Sequence, residues 1–88
     1  MDKQWNVQDE VYTMIWYYED NMKVLKTEKH DLIIEINKLK KMLNDYPSLE
    51  TETKEKESKL KDVILQINIT KSLLRRLKKV SELYDITY

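Results

Sequence analysis

The single histidine, His30, is the residue around which any imidazole chemistry would have to be built. On a helix, only residues three or four positions away share its face, and these are Lys26, Thr27, Ile33 and Ile34. They include no second metal ligand and no carboxylate. We therefore expect His30 to be a solvated surface residue, with a site shared between the subunits of an oligomer as the alternative.

Glycine and cysteine are both absent from the 88 residues. Phosphate-binding loops and most active sites on tight turns need the backbone freedom of glycine, and thiolate nucleophiles and cysteine-based zinc sites need cysteine. Carboxylates are plentiful, but general acid–base catalysis needs a partly dry cleft to shift their pKa values. We predict a protein that is not an enzyme and that binds no metal and no cofactor.

A dense aromatic group lies near the start of the sequence: Trp5, Tyr12, Trp16, Tyr17 and Tyr18. Packing within the fold is the favoured interpretation, because an aromatic stripe at helical spacing usually belongs to a core. The alternative is that Trp5, Trp16 and Tyr17 anchor a protein partner, since exposed Trp and Tyr side chains often dominate binding surfaces.

A basic run near the other end contains Lys71, Arg75, Arg76, Lys78 and Lys79. Positive charge on a helix attracts phosphates, so nucleic acid is a candidate ligand, ahead of a membrane surface. The 16 basic residues of the chain are balanced by 16 acidic ones, however, whereas nucleic-acid-binding domains usually carry a net positive charge. The favoured interpretation is a solvated, partly ion-paired face, and we expect no membrane contact.

Two long helices are predicted to position these residues. The only proline, Pro47, lies within residues 44–48 (NDYPS), the one cluster of turn-forming residues in the sequence. We predict one domain over residues 1–88, with helix 1 over about 7–46, a turn at 44–48 and helix 2 over about 48–84.

Helix 1 has apolar residues at the a and d positions of successive heptads, which is typical of a coiled coil. Helix 2 is polar over residues 50–61 and then carries two apolar stripes, which predict burial on more than one face. The first stripe is Leu60, Val63, Ile67, Leu74, Leu77 and Tyr84, and the second is Leu65, Ile69, Leu73, Val80 and Leu83. We predict an all-α antiparallel helical hairpin, because the stripes match helix 1 in that register. The hairpin also brings Glu19 and Asp20 near Arg75 and Arg76.

In the same register, five apolar residues of helix 1 fall opposite the polar stretch of helix 2: Leu32, Ile33, Ile36, Leu39 and Leu43. Leaving such side chains in water is unfavourable and promotes aggregation. We therefore expect a homodimer, an elongated four-helix bundle with helix 1 at its centre. Its predicted interface is the helix 1 seam: Ile15, Met22, Leu25, Lys29, Leu32, Ile36, Leu39 and Leu43.

The favoured function is a coiled-coil protein–protein interaction module, a small scaffold or regulator whose partners are a second copy and another protein. The alternative is a small dimeric nucleic-acid-binding regulator that uses the basic part of helix 2. The first residues lack the basic start and apolar run of a signal peptide, so we expect a cytoplasmic location. An excess of residues with AT-rich codons favours a low-GC genome, such as that of a phage, a virus or a low-GC bacterium, and a phage or viral origin would add an inhibitor of a host protein to the candidate roles.

Overall fold

A computed structural model of the chain describes the backbone of residues 7–87 and the side chains of residues 9–83. Two long helices, α1 (Val7–Met42) and α2 (Glu50–Thr87), flank a short 3₁₀ helix at Pro47–Leu49. The two long helices fold back on each other into an antiparallel hairpin with extents of 69 × 26 × 14 Å. The predicted all-α helical hairpin is confirmed.

The connection between the helices differs from the prediction at its first boundary, because α1 ends at Met42 rather than near residue 46. The Met42 carbonyl accepts hydrogen bonds from the backbone N–H groups of Asp45, at 3.1 Å, and of Tyr46, at 2.8 Å. Tyr46 leaves the helical conformation with φ −133° and ψ 78°. Proline disfavours helical geometry in the residue before it, so Pro47 ends α1 early and opens the next helical segment.

Charges at both ends of α1 and at the start of α2 agree with the direction of the helix dipole. Asp9 and Glu10 occupy the first turn of α1, and Lys40 and Lys41 occupy its last turn. The first turn of α2 carries Glu50 and Glu52. Acidic groups at a helix N-terminus and basic groups at its C-terminus each stabilise the helix by roughly 0.3–1 kcal/mol.

The seam between α1 and α2 is a heptad pattern of burial on both helices. On α1 the buried side chains are Val11, Ile15, Met22, Leu32 and Ile36, with Tyr18, Leu25, Lys29 and Leu39 half-buried. Leu43, just past the end of α1, is also half-buried. On α2 the buried ones are Thr53, Val63, Ile67, Thr70, Leu74 and Ser81, with Lys56, Leu60 and Leu77 half-buried between them. The first apolar stripe predicted for helix 2 therefore forms the seam, apart from Tyr84, which lies outside the described side chains.

The second predicted stripe of helix 2 is not buried within the chain. Leu65, Ile69, Val80 and Leu83 are exposed, and Leu73 is half-buried. A two-helix hairpin can shield only one face of each helix, so burial of helix 2 on a second face stays a prediction that needs a partner.

The expectation that the later part of the helix 1 seam lacks cover is wrong. Leu32 and Ile36 are only 4% and 5% exposed, and Leu39 and Leu43 are half-buried. Of the five residues named, only Ile33 remains exposed. Leu32 belongs to an apolar cluster with Val63, against which Leu60 packs. Nearer the turn, α2 contributes the buried Thr53 and the long side chain of Lys56, whose apolar stem can lie on apolar surface while its ammonium stays in water.

Ion pairs across the seam define the antiparallel register. Glu19 pairs with Lys78 at 3.7 Å and Lys40 with Glu57 at 3.8 Å on one side of the seam. Glu28 pairs with Lys59 at 3.8 Å and Glu35 with Lys56 at 3.0 Å on the other. We call residues 27–65, next to the turn, the loop half of the hairpin, and residues 9–26 with 66–83 the open half.

Candidate interaction surfaces

The predicted dimer interface occupies the intramolecular seam. Its eight residues are buried or half-buried against α2 of the same chain: Ile15, Met22, Leu25, Lys29, Leu32, Ile36, Leu39 and Leu43. A second copy could reach them only if the hairpin opened. The homodimer stays a prediction, and an intact hairpin has to form it through another surface.

An apolar strip lies along one broad face of the open half. Its members are Met14, Tyr17 and Val24 of α1, and Ile69, Leu73, Val80 and Leu83 of α2. Val24 and Ile69 are 61% and 51% exposed and line one surface groove together with Asn21 and Gln66. The strip therefore crosses from one helix to the other at Val24 and Ile69, and Arg76, seven residues from both Ile69 and Leu83, lies on the same face.

The two tryptophan and tyrosine anchors that the structure describes point in different directions. Trp16 is 68% exposed and Tyr17 is 56% exposed, so neither packs into the hairpin as the favoured interpretation required. Successive residues on a helix are about 100° apart. Tyr17 therefore belongs to the apolar strip, with its ring 5.4 Å from that of Tyr18 in an edge-to-face contact, while Trp16 lies toward the opposite face. Trp5 lies outside the described residues.

A basic groove lies on the opposite broad face of the open half. The residues that line it are Glu19, Met22, Lys23 and Lys26 of α1, and Lys71, Leu74, Arg75 and Lys78 of α2. The groove has a volume of about 470 Å³, and Met22 and Leu74 form its apolar floor. Five cations surround one carboxylate, Glu19, which is paired with Lys78.

The faces can be assigned from the heptad positions next to the seam. Glu19 and Lys26 each follow a seam residue of α1 and lie on the groove side. Asn21 and Glu28 each precede a seam residue and lie on the strip side. A residue that directly follows a seam residue and a residue that directly precedes one point to opposite sides of the seam.

The basic run of helix 2 is divided between faces. Lys71, Arg75 and Lys78 line the groove, whereas Arg76 and Lys79 do not. The expected approach of Glu19 to Arg75 is found, although the ion pair of Glu19 is with Lys78. Lys23 and Lys26 complete the groove from α1, and sequence reasoning missed both because they lie far from the basic run along the chain. Their heptad positions relative to Glu19 were the signal that could have identified them.

The loop half carries a third surface, on the same face as the apolar strip. Glu28, Asp31 and Glu35 line a groove there together with Lys56 and Lys59. Glu35 accepts a hydrogen bond from the Lys56 ammonium, and this hydrogen bond and the attraction between the two charges raise the pKa of Lys56 above its usual value. Two of the three carboxylates are thus neutralised by lysines of α2.

No candidate metal site is formed within residues 9–83. His30 is exposed, and no group of three or more His, Asp or Glu side chains in the described part of the chain could hold a metal ion. Among the described residues, no helix is long and apolar enough to cross a membrane.

Comparisons with known proteins add no functional assignment. No protein-family model matches the chain, and no curated protein or solved structure is significantly similar to it. The candidate surfaces therefore have to be interpreted from their own geometry and charge.

Proposed function

We propose that the chain is a non-catalytic protein–protein interaction module that pairs with a second copy of itself through the apolar strip. The observation that carries the proposal is the exposure of Val24 and Ile69, which line one groove and are more than half exposed. Contiguous exposed apolar patches rimmed by polar residues mark association surfaces in otherwise polar proteins. In this assembly each hairpin keeps its own seam, and the dimer is a four-helix bundle.

The size of the strip supports a weak dimer. It extends about 21 Å along α2, from Ile69 to Leu83, at about 1.5 Å per residue. Across the 26 Å width of the hairpin it would bury roughly 500 Å² per copy, or about 1,000 Å² in total, which is the lower limit for a specific interface. We expect a dimer that forms at micromolar concentration and dissociates on dilution.

We expect the two copies to pair in an antiparallel direction. In the loop-half groove, Glu28 and Glu35 are paired with Lys59 and Lys56, and Asp31 is the carboxylate of that groove with no ion pair among the described residues. A parallel arrangement would bring the Asp31 side chains of both copies together, which is unfavourable. An antiparallel two-fold arrangement places strip against strip and directs the two loop halves away from each other. Closed two-fold dimers of this kind are the commonest oligomers.

Pairing through the strip leaves the basic grooves of both copies free on the outer faces of the bundle. A scaffold, a regulator or an inhibitor of a host protein would act by presenting these outer helix surfaces to its partner. The dimer presents each surface twice, which increases the apparent affinity for any partner with two binding sites.

Sedimentation equilibrium of the full chain from low to high micromolar concentration tests the proposal. The wild-type mass is expected to rise from monomer to dimer with concentration. The double variant Val24→Glu/Ile69→Glu is expected to remain monomeric with unchanged helicity.

The matched control is Ile34→Glu/Leu65→Glu, which adds the same charge at exposed apolar residues outside the strip. It is expected to dimerise as the wild type does. A wild-type chain that stays monomeric at high micromolar concentration would contradict self-association and leave a different protein as the occupant of the strip. If the control variant is monomeric and the strip variant still dimerises, the strip is not the interface, and the two copies pair through the helix faces that carry Ile34 and Leu65.

A further inference from the structure

We propose that the basic groove, together with Trp16, binds single-stranded nucleic acid. The groove is complete in one hairpin, so the proposal does not depend on dimerisation through the apolar strip.

The first step of the argument is the charge of the groove. Lys23, Lys26, Lys71 and Arg75 have no ion-pair partner among the described residues, and the one carboxylate in the lining, Glu19, pairs with Lys78. Like charges held close together repel one another unless an anion lies between them. Cations from both helices surround a shallow channel with an apolar floor, and a negatively charged chain can follow such a channel.

The second step is the position of Trp16. It precedes Lys23 by seven residues, which on a helix places it on the same face at a distance of about 10 Å along the axis. With its side chain 68% exposed, Trp16 presents an indole ring at the end of the basic groove. A positively charged groove that continues into an exposed aromatic ring is typical of single-strand binding, because the backbone follows the charges while a base stacks on the ring.

Single strands fit this face better than a duplex does. Bases in a duplex are stacked on each other and cannot reach an exposed indole without unpairing. A duplex reader normally inserts one helix into the major groove, whereas here the cations lie on both sides of a groove between two packed helices. An acidic peptide would satisfy the charges but would have no base to stack on Trp16.

Binding is measured with the full chain carrying Trp5→Phe, so that Trp16 is the only tryptophan. The probes are single-stranded oligothymidylate and oligouridylate of 12 nucleotides, a DNA duplex of equal length, and polyglutamate. We expect the single strands to quench the Trp16 fluorescence. Neutralisation of about four phosphates gives a slope of about −3 for the logarithm of the binding constant against the logarithm of salt concentration.

The groove variant Lys71→Gln/Arg75→Gln is expected to weaken single-strand binding at least tenfold. The matched control is Arg76→Gln/Lys79→Gln, which removes the same charge from the same helix outside the groove and is expected to change binding less than twofold. Circular dichroism confirms that both variants keep their helicity.

Equal losses in the two variants would show general charge attraction and would overturn the groove as the site. Undetectable binding at low salt, or tighter binding of polyglutamate or of the duplex, would overturn single-stranded nucleic acid as its ligand. Binding without a change in Trp16 fluorescence would overturn the stacking contact, and with it the distinction from a purely electrostatic surface.

Discussion

The open half and the loop half of the seam are both buried, but α2 contributes charged side chains near the turn. In the open half, Ile67 and Leu74 of α2 pack with Val11, Ile15 and Met22 of α1 in an apolar cluster that continues into the loop half at Leu32 and Val63. Closer to the turn, α2 contributes Thr53, Lys56 and Glu57, yet Ile36 of α1 is only 5% exposed.

This difference shows that a seam residue is buried by contact with the facing helix. Polar residues of that helix can supply the contact through the apolar parts of their side chains. Thr53 is 3% exposed, and its hydroxyl donates a hydrogen bond of 2.8 Å to the Leu49 carbonyl, which leaves its methyl group free to pack. Lys56 lines surface grooves with both Leu32 and Leu39 while its ammonium reaches Glu35. Residues 50–61 are therefore mostly polar or charged in sequence and still form one side of the buried seam.

The largest expected effect comes from truncating the loop half of the seam. Leu32→Ala should lower the free energy of unfolding by about 2–5 kcal/mol, the usual range for deleting a buried leucine side chain. Ile67→Ala in the open half should cost a similar amount. Urea denaturation followed by circular dichroism measures both.

Ile34→Ala is the matched control, because Ile34 lies two residues from Leu32 but is exposed. It should change stability by no more than about 0.5 kcal/mol. If Leu32→Ala costs no more than this control, the loop half is loosely packed and the two halves of the seam are not equivalent.

A smaller effect is expected at Thr53, the most buried residue of the polar stretch. Thr53→Ala removes its packed methyl group and should cost about 1 kcal/mol. Thr51→Ala, at an exposed position of the same turn, should be neutral or slightly stabilising because alanine has the higher helix propensity. Denaturation midpoints that fall equally in both variants would mean that Thr53 contributes no packing to the seam.

The smallest expected effect is the pH dependence of the Lys56–Glu35 pair. The pKa of Lys56 is raised in the folded hairpin by the hydrogen bond and charge of Glu35, so the pair stabilises the fold below the unfolded pKa of 10.5. That contribution is lost as the pH rises through the folded pKa. The difference in urea midpoint between wild type and Lys56→Met should therefore be small at pH 8 and should shrink further at pH 11.

A difference that stays constant between these two pH values would show that Lys56 acts only through its apolar stem. Glu35→Gln provides a second comparison, since it removes the acceptor charge and leaves the lysine in place. The difference in urea midpoint between wild type and Glu35→Gln should likewise be smaller at pH 11 than at pH 8.

Much of the hairpin could be predicted from the order of residues. The heptads of α1 identify Ile15, Met22 and Ile36 as seam residues, and Pro47 identifies the turn. The seam of α2 was harder to recognise, because Thr53, Thr70 and Ser81 are buried there and a pattern of apolar residues does not include them.

The candidate sites were only partly predictable. Lys71, Arg75 and Lys78 were recognised as a basic group, but the contribution of Lys23 and Lys26 depends on the register between two helices that are distant in sequence. Likewise Trp16 and Tyr17 were recognised together as anchors, and only their places relative to the seam assign them to opposite faces.

The sequence by itself determined the elements, since helical periodicity and one proline are local properties that need no knowledge of the partner helix. The tertiary structure decided how the charges and apolar side chains are sorted. A chain with equal numbers of basic and acidic residues folds so that the open half has a basic face and an apolar one. Packing two helices in one register fixes which neighbours flank the seam on each side, and no single helix carries that information.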